Sequence, residues 1–353
     1  MVKALSLTTA LALAVGLTAG AASAQVNLTT ATASPGSIVN VTTHHLARVA
    51  AERGIANLQV QDGATLTNTV LDVAEGRLDM SEAPMILPFL LSRALGPYSA
   101  VGEERGAELA SSLRALYPFN AGGFGLFAME SANIDSWDDI AGKTIFNGPP
   151  RGAALTNARQ AVMLAAGLQD GEDYTGFQVN WGQLSSLLTD GSMDAFVFPT
   201  VHPSDRVILM QSAGDVVIVS TPREVYESEA YQRIFNFPGN IPIEIPVEDM
   251  GYSDGIRITQ ADDGIYRAMG TAFATVVRAD MDYQLAYDLT AAHIETLDEL
   301  RASTPYAANA GHGILDQRLS GFCGNNQLLY HPGAVAAWED RGYEVPDCAE
   351  PPM

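Results

Sequence analysis

Three short loops, each rich in glycine or hydroxyl residues and each followed by a helical pattern, carry residue types suited to holding an anion. They are Ser-Pro-Gly-Ser at 34–37, Gly-Ala-Thr-Leu-Thr-Asn at 63–68 and Gly-Pro-Pro-Arg-Gly-Ala at 148–153. The first N–H groups of a helix have no partner within the helix and lie at its positive end, so each loop favours a carboxylate. One such loop is ordinary helix capping, but three in one chain predict a binding site for a small anion.

Arg151 lies in the third of these loops, just before the predicted start of a helix. A cation at that position opposes the helix dipole, so it needs another reason to be there. A bidentate contact with the carboxylate of a ligand is one explanation, and an exposed side chain or an ion pair with a nearby acid is the other.

Sequence signatures of enzymes are mostly absent. The chain has no Gly-x-Ser-x-Gly elbow, no His-Glu-x-x-His and no Gly-x-x-x-x-Gly-Lys loop. His44 and His45 are adjacent on a predicted helix and therefore point to different faces, so they do not chelate one metal ion together. His202 follows an apolar strand and is a better candidate for a cleft. We predict a protein that is not an enzyme and that carries no cofactor and no metal.

The N-terminus predicts export. Lys3 precedes an uncharged apolar run, which closes in Ala-Ser-Ala before Gln25, the pattern of a secretory signal cleaved near Ala24. The 353 residues include 41 acidic and 19 basic side chains, a net charge of −22, which argues against nucleic acid and an anionic membrane as partners. The two cysteines, Cys323 and Cys348, are expected to form a disulfide in an oxidising compartment.

Short apolar runs alternate with amphipathic stretches along the chain, which indicates an α/β fold. Strands are expected at 25–33, 57–61, 78–81, 124–129, 143–146, 177–179, 194–198, 216–219 and 272–278, with a long helix at 283–301. The order suggests two similar lobes, the second inserted in the first. The predicted division is a signal at 1–24, a first lobe at 25–127 and 222–353, and a second lobe at 128–221.

The chain resembles a TAXI-type substrate-binding protein of a TRAP (tripartite ATP-independent periplasmic) transporter. Its first loop, its Gly-Ala-Thr-Leu-Thr-Asn helix start and its Asn-Gly-Pro-Pro at 147–150 resemble the family's loops. Asp-Gly-Ser-Met-Asp-Ala-Phe at 190–196 resembles the family's Asp-Gly-x-x-Asp-Ala-Phe, and Tyr-His-Pro-Gly-Ala at 330–334 resembles its C-terminal end. The match spans the expected mature chain in order.

The resemblance implies a type II periplasmic-binding-protein fold, two lobes joined by a hinge with the ligand cleft between them. It also implies capture of an organic acid or amino acid, such as glutamate or 2-oxoglutarate, and delivery to a TRAP permease in the membrane. We expect a periplasmic monomer. The expected ligand-binding residues are Ser34, Ser37, Thr65, Asn68, Glu82, Pro149, Arg151, Gly152, Thr200 and His202.

The chain departs from the family pattern inside the expected cleft. Arg151 and Gly152 stand where a Gly-Ser-Gly-Thr-like loop is usual, and Glu82 and Pro84 replace an apolar residue and a glutamine. Arg151 favours a carboxylate, and Glu82 would favour an ammonium group if it faces the cleft. The family's ligand is therefore not transferred to this chain. A secreted hydrolase using His202 or His44, and a sensory protein that presents its ligand to a membrane kinase, are the alternatives.

Overall fold

The computed structural model describes residues 25–324 and 328–350, and these residues form a mixed α/β fold. The predicted signal peptide, residues 1–24, lies outside the described residues. Among the residues that are described, every helix is too short or too polar to cross a membrane.

The helices and strands follow the alternation that the sequence predicts. The strands are β1 Val26–Ala31, β2 Ala56–Gln61, β3 Met80–Pro84, β4 Leu113–Met129, β5 Thr144–Phe146, β6 Thr175–Phe177, β7 Ala195–Thr200, β8 Val216–Val219, β9 Asn240–Pro246, β10 Ile256–Thr259 and β11 Ile265–Arg278. The helices are α1 Ile38–Glu52, α2 Leu66–Ala74, α3 Ile86–Ser92, α4 Glu103–Ser111, α5 Ala153–Ala166, α6 Trp181–Asp190, α7 Asp205–Gln211, α8 Arg223–Tyr226, α9 Glu229–Gln232, α10 Tyr283–Glu295, α11 Leu297–Ser303 and α12 Pro332–Glu339.

All strands of the described chain belong to one sheet, whose main order is β2-β1-β3-β11-β4-β7-β5-β6. The outer strands at both ends are parallel to their neighbours, as βαβ crossovers require. The two central strands, β4 and β11, are antiparallel to each other and run through both halves of the sheet. The sheet therefore has two parallel halves joined by two long strands, which confirms the predicted α/β fold of two lobes.

Each half of the sheet has its own hydrophobic core. In the first lobe, which contains β1–β3, the buried residues include Leu46 and Trp338. In the second lobe, which contains β5–β8, they include Trp137 and Ile145. A further cluster of buried residues extends through the middle of the sheet, so the lobes share a packed base as well as separate cores.

The two long strands carry glycines where they change partners. Gly123 pairs with Gly270, and the register of β11 against β4 shifts between Gly270 and Ala272. From Gly123 to Ala128, β4 pairs with β7 on its other side. The predicted lobe boundaries at 127/128 and 221/222 remain predictions. In the structure the change of pairing falls inside β4 and β11, and β9 and β10 pair with β11 and β8.

One departure from the expected helices has a local cause. The predicted helix at 283–301 is two helices, α10 and α11, which meet at Thr296. The Thr296 hydroxyl donates to the Ala292 carbonyl at 2.7 Å, a side-chain bond that competes with the helical backbone pattern. No element was predicted from the sequence at α3, α4, α7, α8, α9, α12, β9 or β10.

The expected disulfide is present between Cys323 and Cys348, whose Cα atoms are 5.8 Å apart. It ties residues that are 25 positions apart at the C-terminal end of the chain. It lies outside the cleft described next, so its role is structural.

Candidate functional site

A cleft of about 610 Å³ lies between the two lobes, and five helices begin on its wall. The first lobe contributes the starts of α1 and α2, and the second contributes those of α5, α6 and α7. The volume falls within the roughly 300–1,000 Å³ of small-molecule sites. The predicted convergence of loop-to-helix junctions is therefore a property of the folded chain, with two more junctions than the sequence indicated.

Four of these five helix starts have no side-chain cap within the described chain. Ser37 caps α1, because its side chain accepts from the Asn40 N–H. No side-chain hydrogen bond caps α2, α5, α6 or α7. At the start of α7 the Ser204 hydroxyl accepts from the Thr200 hydroxyl at 2.7 Å. Four positive helix ends with open N–H groups around one cleft favour an anionic occupant.

The loop before α5 reaches across to the first lobe. Gly148 and Gly152 have φ angles of +114° and +105°, a backbone region that other residues rarely adopt. A Cβ atom added to Gly152 would lie 3.1 Å from the Thr67 hydroxyl of α2. This close approach makes the two lobes neighbours at the rim of the cleft.

Arg206, on the first turn of α7, is the main cation of the cleft wall. Its guanidinium lies 5.1 Å from the ring centre of Trp181 and 5.5 Å from that of Phe198. It donates to the Pro199 carbonyl at 3.4 Å. Burial lowers the pKa of Arg206 to about 10, so the side chain stays protonated at neutral pH.

No carboxylate of the described residues forms an ion pair with Arg206, although most arginines of this chain have one. A partly buried charge without a counter-ion is costly, because it has lost part of its hydration and gained no partner. Stacking on two aromatic rings offsets part of this cost. The arrangement calls for an anion that comes from outside the protein.

Tyr306 connects this cation to the apolar part of the cleft. Burial raises the pKa of Tyr306 to about 12; the neighbouring Asp205 adds to this rise, and Arg206 opposes it. The Tyr306 hydroxyl is thus neutral at physiological pH and adjacent to both charged groups. Its ring belongs to the cluster of apolar residues below the cleft.

This cluster, the apolar floor, is built from both lobes. Its members that line the cleft include Val39 of α1, Val201 after β7 and Phe273 of β11, which are 4%, 5% and 8% exposed. Leu66, the first residue of α2, is partly exposed and packs against the same cluster. The cleft therefore joins a cationic wall to an apolar floor.

The structure brings most of the sequence-predicted ligand residues to this one cleft. Its lining includes Ser34, Ser37, Thr65, Pro149, Arg151, Gly152 and Thr200. Arg151 is exposed and has no ion pair among the described residues, so the side chain is free to meet a ligand. The lining does not include Asn68, Glu82 or His202.

Glu82 lies beneath the cleft in the interior of the first lobe. It is 1% exposed, and its carboxyl accepts from the Thr275 hydroxyl at 2.7 Å. Burial raises its pKa to about 8, so the group is largely neutral at pH 7. A buried neutral carboxyl does not offer the charge that an ammonium group requires.

His202 is fully buried behind the cleft. Its Nδ1 lies 2.6 Å from the Tyr252 hydroxyl, and burial lowers its pKa to about 3. His44 is exposed and lies 2.8 Å from Asp62. Neither imidazole forms a hydrogen bond with a serine, threonine or cysteine side chain in the described structure, and no group of three or more His, Cys, Asp or Glu side chains there could hold a metal ion.

Arg206 and Trp181 were not among the ligand residues predicted from the sequence. The signal for Arg206 was present, since Pro-Ser-Asp-Arg follows an apolar strand and Ser-Asp commonly begins a helix. The sequence could not predict that Arg206 has no carboxylate partner among the described residues, because the fold decides which acidic side chains lie near it.

Comparison with known proteins identifies the family. The chain belongs to the NMT1-like family, whose model matches residues 90–342. No curated protein matches it significantly.

Several solved structures are similar in fold at low identity. A TRAP periplasmic solute-binding protein from Ralstonia eutropha with bound (S)-2-acetolactate is 14% identical over 90% of this chain and 84% of that one, with a TM-score of 0.44. A Bordetella pertussis extracytoplasmic solute receptor binding pyroglutamic acid is 12% identical over 90% and 93%, with a TM-score of 0.44. The ectoine-binding protein of the TeaABC TRAP transporter of Halomonas elongata is 12% identical over 89% and 90%, with a TM-score of 0.40. The ligands named belong to those proteins.

Proposed function

We propose that this protein is an extracytoplasmic solute-binding protein that captures a small carboxylate between its lobes. The observation that carries the proposal is Arg206, a partly buried cation without a carboxylate partner in the described chain, at the edge of an interlobe cleft. A ligand carboxylate supplies the missing charge, and the open helix N-termini supply N–H donors.

A ligand that binds between the lobes can change how close together they lie. A ligand that contacts Arg206 in the second lobe and the α1 and α2 starts in the first is fully bound only when the lobes are together. It therefore shifts the population toward the closed form. We place the hinge for this closing movement at Gly123 of β4 and Gly270 of β11, where the strands change pairing partners.

Delivery of the ligand to a TRAP-type permease in the membrane completes the proposal. The support is the resemblance of the loops and of the 190–196 segment to TAXI-type binding proteins. We propose periplasmic localisation and a monomeric state on the same basis. The buried state of His202 and the pairing of His44 with Asp62 favour binding over hydrolysis.

A thermal-shift screen of organic acids and amino acids tests the proposal. A bound ligand at 100 times its Kd adds about 2.7 kcal/mol to the free energy of unfolding. We expect carboxylates to raise the melting temperature of the wild type and to lose that effect in Arg206→Met. No shift with any acid would contradict the proposal, and conversion of a bound acid to product would favour an enzyme instead.

A further inference from the structure

The cleft is cationic at one end, and its floor is apolar. Val39 of α1, Leu66 of α2 and Phe273 of β11 meet on the floor with Val201, which follows β7. Tyr306 belongs to this floor and lines the cleft together with Arg206, so the apolar surface extends to the cationic end of the cleft. A ligand whose carboxylate lies on Arg206 therefore places the rest of its atoms against apolar side chains.

The cleft offers little to an ammonium group. Of the two acids in its lining, Asp62 already accepts from Asn40 at 2.7 Å and lies 2.8 Å from His44. The other, Asp205, stands at the first position of α7, where the helix dipole stabilises its negative charge. The first turn of each cleft helix also favours negative over positive charge.

Resting on the proposed function, we propose that the cleft selects carboxylic acids with an apolar chain or ring and without an amino group. Such an acid satisfies Arg206 with its carboxylate and buries its body on the floor. A polar acid such as 2-oxoglutarate would place its second carboxylate on that floor or against Arg151, which is exposed, so that solvent screens the contact. An amino acid would place an unpaired ammonium group among helix N-termini. Both carry a desolvation cost that the apolar acid avoids.

Calorimetric titration of the purified wild-type protein tests this selectivity. The probes are butanoate, hexanoate, 3-phenylpropanoate, phenylalanine, glutamate and 2-oxoglutarate. We expect affinity to rise by about fourfold for each added methylene, the value of burying one such group. Phenylalanine differs from 3-phenylpropanoate only by the amino group, and we expect it to bind at least about tenfold more weakly.

The variant Leu66→Gln tests the floor directly. Leu66 is partly exposed at the start of α2, so this substitution leaves the buried core intact. We expect it to weaken hexanoate by about tenfold and butanoate by less, since the longer chain covers more of the floor. Leu95→Gln is the matched control, because Leu95 is 47% exposed and lies outside the cleft lining.

The outcomes separate the two proposals. Tighter binding of glutamate or 2-oxoglutarate than of 3-phenylpropanoate would overturn the selectivity and leave carboxylate capture standing. Equal affinity of butanoate and hexanoate in the wild type would overturn it as well, whether or not the variant folds. Binding of none of the six acids would overturn both proposals.

Discussion

Replacing Arg206 with methionine removes the guanidinium from the cleft and keeps an unbranched side chain that still packs on Trp181 and Phe198. We expect this change to have opposite effects on binding and on stability. The ligand loses its charge partner, and the free protein loses a cation that has no carboxylate counter-ion within residues 25–324 and 328–350. The substitution therefore distinguishes a ligand-binding role of Arg206 from a structural role.

The loss of affinity follows from burial of the ion pair. Truncating one partner of a buried, hydrogen-bonded charge pair costs about 2–5 kcal/mol, which corresponds to a rise in Kd of roughly 30- to 5,000-fold. Arg206 is partly buried, so the lower half of this range is expected.

The gain in stability follows from the pKa. Burial lowers the pKa of Arg206 from 12.5 to about 10. Below pH 10 the side chain is protonated in both the folded and the unfolded chain, so the full desolvation cost is present, on the order of 3 kcal/mol. Loss of the two ring contacts offsets about 1–2 kcal/mol of this. The free energy of unfolding of the ligand-free variant should therefore rise by about 1–2 kcal/mol.

Urea unfolding without ligand, and calorimetric titration with the best acid of the screen, measure both effects. Arg93→Met is the control, since Arg93 is exposed and outside the cleft lining. We expect the control to change neither quantity. An Arg206→Met protein that is less stable than the wild type and binds with unchanged affinity would show that Arg206 is a structural residue and refute the reasoning.

Three further predictions concern the frame of the site. Because burial raises the pKa of Glu82 from 4.5 to about 8, the folded protein holds a proton that the unfolded chain releases within that window. The contribution of Glu82 to stability therefore falls as the pH rises, and we expect the free energy of unfolding of the wild type relative to that of Glu82→Gln to drop by about 3 kcal/mol between about pH 5 and pH 8. The double variant Cys323→Ala, Cys348→Ala opens a loop of 25 residues, and its free energy of unfolding should fall by about 3 kcal/mol; an unchanged urea midpoint would show that the tail is held without the disulfide. Gly122→Ala places a Cβ atom 1.8 Å from a backbone carbonyl of β7 at a φ of +84°, and should cost about 3 kcal/mol or more, whereas Gly167→Ala, at a φ of +72° with open space around it, should cost about 1 kcal/mol in the same urea assay.

Features encoded locally were predictable. The loops at 34–37, 63–68 and 148–153 combine turn residues with the start of a helical pattern, and each lies on the cleft wall. Helix starts depend on a few neighbouring residues, so the sequence identifies them. The α/β class was readable from the alternation of short apolar runs with amphipathic stretches.

Features set by tertiary neighbours were not predictable. Glu82 directly follows the strand predicted at 78–81, where ligand residues often lie. In the structure Glu82 lies within β3, and only the pairing of β11 with β3 shows that its carboxyl points toward Thr275 in the core. Arg206 looked like any surface arginine, because its lack of a carboxylate partner depends on the whole fold. The change of pairing within β4 and β11 was missed for the same reason, since one continuous strand serves both lobes.

A crystal structure of the protein with its tightest-binding acid tests the central claim most directly. We predict that the ligand lies in the interlobe cleft with a carboxylate oxygen roughly 2.8 Å from the Arg206 guanidinium, the length of a charge-assisted hydrogen bond. A carboxylate bound elsewhere, with Arg206 still unpaired, would contradict the account.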